Sequence, residues 1–257
     1  MKICRFVGVL LVLCLLTAGL TACDDVLTLL FPEEESGYSE SLPPSWEFAT
    51  NFPAQTTAAP AEPNADMPAI MAEINSMSVA DFAETDKTTE YIKITVKDFG
   101  ETVIRLRSDI APISVENFQK LVGEGFYDGL TFHRIIKGFV IQGGDPKGDG
   151  TGGSDTTIKG EFQINGVQND LSHVTGVISM ARRSTPLDSA TSQFFICNAD
   201  VSRSLDGSYA AFGYVVAGLD VIMTVSDVEV KASSPSGEAS VPVTSVVIER
   251  ICFVTPN

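Results

Sequence analysis

The sequence is poor in positive charge. It carries 17 Lys and Arg against 33 Asp and Glu over 257 residues, a formal net charge of -16 and a pI near 4.4. Phosphate binding needs clustered Lys and Arg, so this balance argues against a nucleic-acid partner. His is scarce as well, with 2 in the chain, and the 5 Cys are scattered. No zinc-ligand spacing can be assembled from them, and neither a metal nor a cofactor is expected. Asp145, Asp149 and Asp155 lack the spacing of an EF-hand loop. There is 1 Trp, Trp46, and no internal repeat. Apolar surface is not lacking. Hydrophobic residues make up 44% of the chain, enough to build a core. The length allows one large domain or two small ones.

The apolar residues are unevenly distributed. Residues 1–22 begin with a positive stretch, Lys2 and Arg5, followed by an unbroken apolar run from Phe6 to Leu16. That run is too short for a membrane span of about 20 residues. It leads to Leu20-Thr21-Ala22-Cys23, which resembles a bacterial lipobox. The resemblance implies a signal peptide over 1–22, cleavage before Cys23 and lipidation of its thiol. The expected location is the extracytoplasmic face of a cell membrane, held by the lipid anchor. Cys4 and Cys14 then leave with the signal. Cys197 and Cys252 stay in apolar, strand-like runs, where buried free thiols are expected; an exported protein also permits a disulfide between them.

Residues 23–88 change character. From 24 to 88 there are 13 acids, one Lys (Lys87) and seven Pro. Such a composition buries too little surface to offset chain entropy. The segment reads as an acidic, Pro-stiffened stalk, extended by its own charge. A short helix within 67–83 is an alternative near its end. The folded domain is expected over 89–257.

There the patterning turns globular. Tyr91 to Lys97 alternates, with Ile92, Ile94 and Val96 on one face. Asp98-Phe99-Gly100 reads as a turn into a second strand, Glu101 to Arg107. Pro112 to Val122 has helical spacing, with Ser114 as N-cap and Val115, Phe118, Leu121 and Val122 as its apolar face. Short apolar strands separated by Gly and Asp turns fill 130–216. Leu219 to Val225 is a second helix and Val243 to Val254 a closing strand. Asp109, Asp188 and Asp206 stand in turn-like contexts and are expected to be solvated. The pattern predicts a mainly β fold, an antiparallel barrel or sandwich with two helices.

Three stretches carry recognisable chemistry. The first is Phe132-His-Arg-Ile-Ile-Lys-Gly-Phe-Val-Ile-Gln-Gly-Gly-Asp145. The second runs from Gly150-Thr-Gly-Gly153 to Gly176-Val-Ile-Ser-Met-Ala-Arg182. The third is Ser192-Gln-Phe-Phe-Ile196, then Leu205-Asp-Gly207 and Phe212-Gly213. In this order and spacing they resemble the cyclophilin family of peptidyl-prolyl cis-trans isomerases, over about residues 89–253. The resemblance implies a closed eight-stranded antiparallel β-barrel capped by two α-helices, a monomer, and proline-containing exported proteins as substrates. It implies Arg134 as the catalytic cation. Phe139, Phe195 and Leu205 would line a proline pocket, with Val140 at its edge. Gln142 would bind substrate backbone and hold Arg134. Ala181, Arg182, Gln193 and Tyr209 would border the groove, and His133 would pack behind Arg134. The same stretch of glycines, 148–153, formally fits a phosphate-loop pattern, but no helical pattern follows it, and a surface loop beside the groove is expected.

The residue types suit the reaction. An X–Pro bond isomerises across a barrier of about 20 kcal/mol set by amide resonance. No bond breaks, so no acid or base is needed. A catalyst must bind the twisted amide better than the planar one. Twisting gives the prolyl nitrogen a lone pair, and Arg, always charged and with rigid donors, can stabilise it. Departures from the family pattern are Ser204, where many eukaryotic members have Trp, Arg182 for a usual Asn, and Val140 for a common Met. Cyclosporin binding leans on that Trp, so weak inhibition is expected. Two competing functions are a non-catalytic proline-peptide-binding chaperone on the same fold and a solute-binding lipoprotein. The second would need two α/β lobes.

Overall fold

The computed structural model describes residues 66–233 and 237–257. The expected signal peptide, Cys23 and the first part of the stalk lie outside the described residues. The architecture is mainly β. Eleven strands are β1 (Phe82–Glu84), β2 (Tyr91–Val96), β3 (Gly100–Leu106), β4 (Arg134–Ile135), β5 (Val140–Gly143), β6 (Val177–Met180), β7 (Phe194–Cys197), β8 (Ala211–Ala217), β9 (Val230–Ala232), β10 (Ala239–Pro242) and β11 (Ile248–Pro256). The helices are α1 (Met67–Glu73), α2 (Pro112–Gly123), α3 (Ser202–Leu205) and α4 (Leu219–Ser226).

Nine strands form one antiparallel sheet in the order β1-β11-β2-β3-β8-β6-β7-β5-β4, and β9 pairs with β10 in a separate hairpin. The two ends of the large sheet meet. The Phe132 amide donates to the Val246 carbonyl at 2.9 Å, and the Ile248 amide to the Leu130 carbonyl at 2.8 Å. These bonds join the segment leading into β4 to the segment leading into β11, so the sheet curls back on itself. β1 lies outside this junction, on the far end of β11.

Alternation explains the interior. Ile92, Ile94 and Val96 of β2 are fully buried and pair with Ile104, Thr102 and Gly100 of β3. They join Ile135, Ile141, Ile178 and Ile196 in one core. α2 covers it with the expected face, Val115, Phe118, Leu121 and Val122. Phe118 is central: its ring centroid lies 5.0 Å from Tyr127, 5.5 Å from Phe194 and 5.2 Å from Phe212. Edge and stacked contacts of this kind add to the burial of large rings.

Three sequence expectations are corrected and one is extended. Ser114 does not cap α2. The N-cap is Ala111, with Pro112 at the first helical position, where its missing N–H costs nothing. The capping group comes from far along the chain: the buried Glu161 carboxylate accepts from the Ile113 amide (3.0 Å), the Ser114 amide (2.8 Å) and the Ser114 hydroxyl (2.7 Å). An anion there also meets the positive end of the helix dipole. The closing strand is shorter at its start than expected, because residues 243–247 turn from the hairpin into β11. Asp206 is exposed, as expected, and it also accepts hydrogen bonds from Ser172 and His173.

The third correction concerns the boundary at 88/89. Residues 66–88 belong to the folded part. Ile70 of α1 is 2% exposed and packs with Val103, Val177, Tyr214, Val216 and Cys252 on the outer face of the sheet. Every residue of β8 is buried, so its outward side chains need a cover, and α1 supplies it. Glu73 of α1 accepts hydrogen bonds from Arg105 and from the Tyr214 hydroxyl. β1 then adds to β11 as an edge strand.

Candidate active site

Strand register assembles the site. Arg134 of β4 pairs with Gln142 of β5, Gln142 with Phe195 of β7, and Phe195 with Ser179 of β6. These residues form one row across the sheet, on the face opposite the isoleucine core. Directly opposed residues share a face, so a polar cation, a carboxamide and an aromatic ring are set side by side on the barrel wall. The next row on the same face brings Val140 opposite Cys197.

An apolar cluster separate from the main core fills that face. It holds Val140, Ala181, Phe195, Cys197, Val201 and Leu205, with Phe139, Ala199 and Tyr209 packed against it. The Tyr209 ring meets Phe195 edge-on at 5.6 Å. The Arg134 guanidinium lies 5.9 Å from the Phe139 ring centroid. Burial pushes the Tyr209 phenol above its usual pKa, against the pull of Arg182 and Arg134. Burial likewise raises the Cys197 thiol, so it is an inert, packed group rather than a nucleophile. Cys252 sits in the other cluster, under α1, and both thiols are free.

A chain of carboxamides runs from the cation to the glycine loop. Gln142 Oε1 accepts from Arg134 Nη1 at 3.5 Å, and its Nε2 donates to Gln193 Oε1 at 2.8 Å. Gln193 Nε2 donates to the carbonyls of Gly150 and Gly152, at 3.0 and 2.7 Å. The loop is braced from below by Asp145, whose carboxylate accepts from the Lys147 and Gly150 amides. A side chain at Gly152 would collide with that carboxylate. A cavity of about 200 Å³ opens here, bordered by Gln142, Ala181, Arg182, Gln193 and the loop.

A family model, "Cyclophilin type peptidyl-prolyl cis-trans isomerase/CLD", matches residues 91–251. The chain belongs to the cyclophilin family. It is 43% identical over 135 residues to peptidyl-prolyl cis-trans isomerase B of Bacillus subtilis, covering 52% of this chain and 90% of that one. It is 46% identical over 123 residues to a peptidyl-prolyl cis-trans isomerase of Schizosaccharomyces pombe, covering 48% of this chain and 76% of that one. A crystal structure of a Cryptosporidium parvum cyclophilin in the presence of the dipeptide Ala-Pro superposes with a TM-score of 0.57 at 27% identity, covering 65% of this chain and 99% of that one. The protein is therefore a peptidyl-prolyl cis-trans isomerase with the expected mainly β cyclophilin fold.

Within this cyclophilin, the residues expected at the site are adjacent in space. Phe139, Val140, Ala181, Phe195, Leu205 and Tyr209 share the apolar cluster. Gln142 and Gln193 share a hydrogen bond, and Arg134 stands at its end. Arg182 does more than border a groove. Its guanidinium lies between two rings, 4.7 Å from Phe162 and 4.9 Å from Tyr209. It also donates to the carbonyls of Ser208, Arg183 and Ser184, tying two loops together. His133 is largely buried, and burial pulls its imidazole below its usual pKa.

Sequence reasoning missed three features of the site. Asp206 accepts from His173 Nδ1 and from the His173 amide, each at 2.8 Å, and from the Ser172 hydroxyl at 2.6 Å. His173 Nε2 lies 3.0 Å from Ser179 Oγ, and its ring stacks on Phe195 at 6.0 Å. Burial opposes ionisation of Asp206, yet these hydrogen bonds hold its carboxyl below the usual range. The network links α3, which carries Leu205, to the ring of Phe195. The second feature is Cys197, whose place in the apolar cluster follows from period-two alternation with Phe195. The third is Glu238, which no local pattern marks. Its carboxylate receives Arg134 Nε at 2.8 Å and Nη2 at 2.9 Å.

Proposed function

We propose that isomerisation is carried out at this outer face, with Arg134 as the catalytic cation. The observation that carries the reading is the cross-strand row that sets Arg134 beside the apolar cluster of Phe139, Phe195 and Leu205. A proline ring seats in that cluster, with Val140, Ala181 and Tyr209 at its margins. Gln142 and Gln193 offer amide groups to the substrate backbone, as does the main chain at Arg182. As the prolyl amide twists, its nitrogen pyramidalises and a guanidinium N–H of Arg134 donates to the new lone pair. Raising the rate from ~0.01 to ~1,000 per second requires about 7 kcal/mol. One charge-assisted hydrogen bond supplies part of this, and pocket shape and desolvation of the amide supply the rest.

The test is isomerisation of an Xaa-Pro peptide by wild type and Arg134→Ala. We expect the variant to lose roughly 10²–10³-fold in kcat/KM, the scale of a lost preorganised donor. Peptide binding without rate enhancement by wild type would instead favour a proline-peptide-binding chaperone.

The substrates we propose are exported proteins folding at the extracytoplasmic face of the membrane, with the enzyme acting as a monomer anchored through lipid on Cys23. The support is the charge, length and Cys of the segment ending at Cys23. Metabolic labelling with a fatty-acid analogue should mark the wild type and not Cys23→Ser. Equal labelling of both would end this part of the reading.

A further inference from the structure

Arg134 is gripped from outside the barrel wall. The β9–β10 hairpin stands beside β4, and Glu238 lies just before β10. The hairpin's own backbone bonds hold Glu238 in place: the Ser233 amide donates to the Glu238 carbonyl at 2.7 Å, and the Gly237 amide to the Ser233 carbonyl at 2.9 Å. Its two carboxylate oxygens then meet two nitrogens of Arg134, at 2.8 and 2.9 Å. The side chains are only 15% and 28% exposed, so the pair is shielded from water and salt.

A fork of this kind does what a single hydrogen bond cannot. Two parallel N–H···O bonds fix the plane of a guanidinium as well as its position. Gln142 meets the Nη1 corner from the barrel wall at 3.5 Å, a long contact that constrains the plane weakly. Glu238 thus supplies two short, directed contacts to the guanidinium where Gln142 supplies one long one. The reaction is sensitive to this, because the Arg N–H must point at a lone pair that exists only in the twisted amide. A displacement of about 1 Å in such a donor costs up to about 10²-fold in rate. We infer that Glu238 is a positioning residue for the isomerase, holding Arg134 in the orientation that the twisted prolyl amide requires.

The inference rests on Arg134 being the catalytic cation. It would act on kcat and not on KM, since the planar ground-state amide offers Arg134 no lone pair. A carboxylate also draws positive charge away from Arg134. If that effect dominated, removing Glu238 would speed the reaction.

The experiment measures kcat and KM for an Xaa-Pro peptide on the full chain in detergent. Wild type, Glu238→Ala, Glu238→Gln and Arg134→Ala are compared. Glu238→Ala should lower kcat roughly tenfold with KM within twofold. Glu238→Gln, which keeps the shape and one acceptor, should lower kcat roughly threefold. If the Ala variant fails to fold, the Gln variant carries the same test. A kcat within 1.5-fold of wild type in the folded variants, a kcat above wild type, or a loss confined to KM overturns the inference. Arg134→Ala separates the two claims. If it is inactive while the Glu238 variants run at the wild-type rate, only the positioning role fails. If it runs at the wild-type rate, the role of Arg134 fails and this inference with it.

Discussion

The carboxamides of Gln142 and Gln193 orient one another. The carbonyls of Gly150 and Gly152 take up Gln193 Nε2, which turns its Oε1 toward Gln142. That oxygen takes up Gln142 Nε2 at 2.8 Å, which turns the Gln142 oxygen toward Arg134. The glycine loop thus reaches the cation through two side chains. Gln193→Leu should break the chain while keeping the volume. A neutral hydrogen bond is worth about 1 kcal/mol net, so kcat/KM should fall about fivefold. Peptide turnover checks this, and an unchanged rate would mean that the chain is passive.

Asp206 should make the pocket sensitive to acid. The hydrogen bonds from His173 and Ser172 hold its carboxyl below the usual carboxylate range despite its partial burial, so the carboxylate stabilises the fold at neutral pH. That contribution is complete above the unfolded pKa and is lost as pH falls from near 4 through the lowered folded value. Asp206→Asn should reduce Tm by roughly 2–5 °C at pH 7. The gap between variant and wild type should close as pH drops below about 4. Melting curves across pH 3 to 7 measure it; a gap independent of pH would show that the carboxylate charge plays no part.

Residues 66–88 should contribute to stability. A protein beginning at residue 89 would lose α1 and β1, baring the outer face of β8 and one edge of β11. Ile70→Ala alone should cost about 2–4 kcal/mol, as for other buried aliphatic truncations. Denaturant unfolding of the full chain, the variant and a protein starting at residue 89 provides the ranking. Equal midpoints for all three would show that the segment merely rests on the barrel.

Cyclosporin inhibition should be weak. Ser204, at the position of the Trp found in many eukaryotic cyclophilins, is exposed on α3 beside Leu205. At that position the serine offers no ring for the inhibitor to pack on. Ser204→Trp should tighten inhibition at least tenfold, an added buried contact of about 1.4 kcal/mol. A nanomolar inhibition constant for the wild type would contradict the expectation.

Much of this protein is set by short-range order in its sequence. The alternation of Ile92, Ile94 and Val96, and the helical spacing of Val115, Phe118, Leu121 and Val122, need only neighbours within a turn or a strand. The site residues are legible for a similar reason. Arg134, Phe139, Val140 and Gln142 fall within one hairpin, and Gln193 and Phe195 within one strand, so their spacing survives as a motif. The tertiary structure decided the rest, because those contacts join segments far apart. Glu161 caps a helix 47 residues earlier, and Glu238 reaches Arg134 across 104 residues. Asp206 reads as a turn residue until His173 arrives from 33 residues away. That residues 66–88 pack on the barrel was only half legible: a short helix could be read within 67–83, but nothing local placed Ile70 and Phe82 against the sheet. The unbroken burial of β8 was the trace they left elsewhere: a strand apolar on both faces needs a cover, but only packing could say which segment provides it.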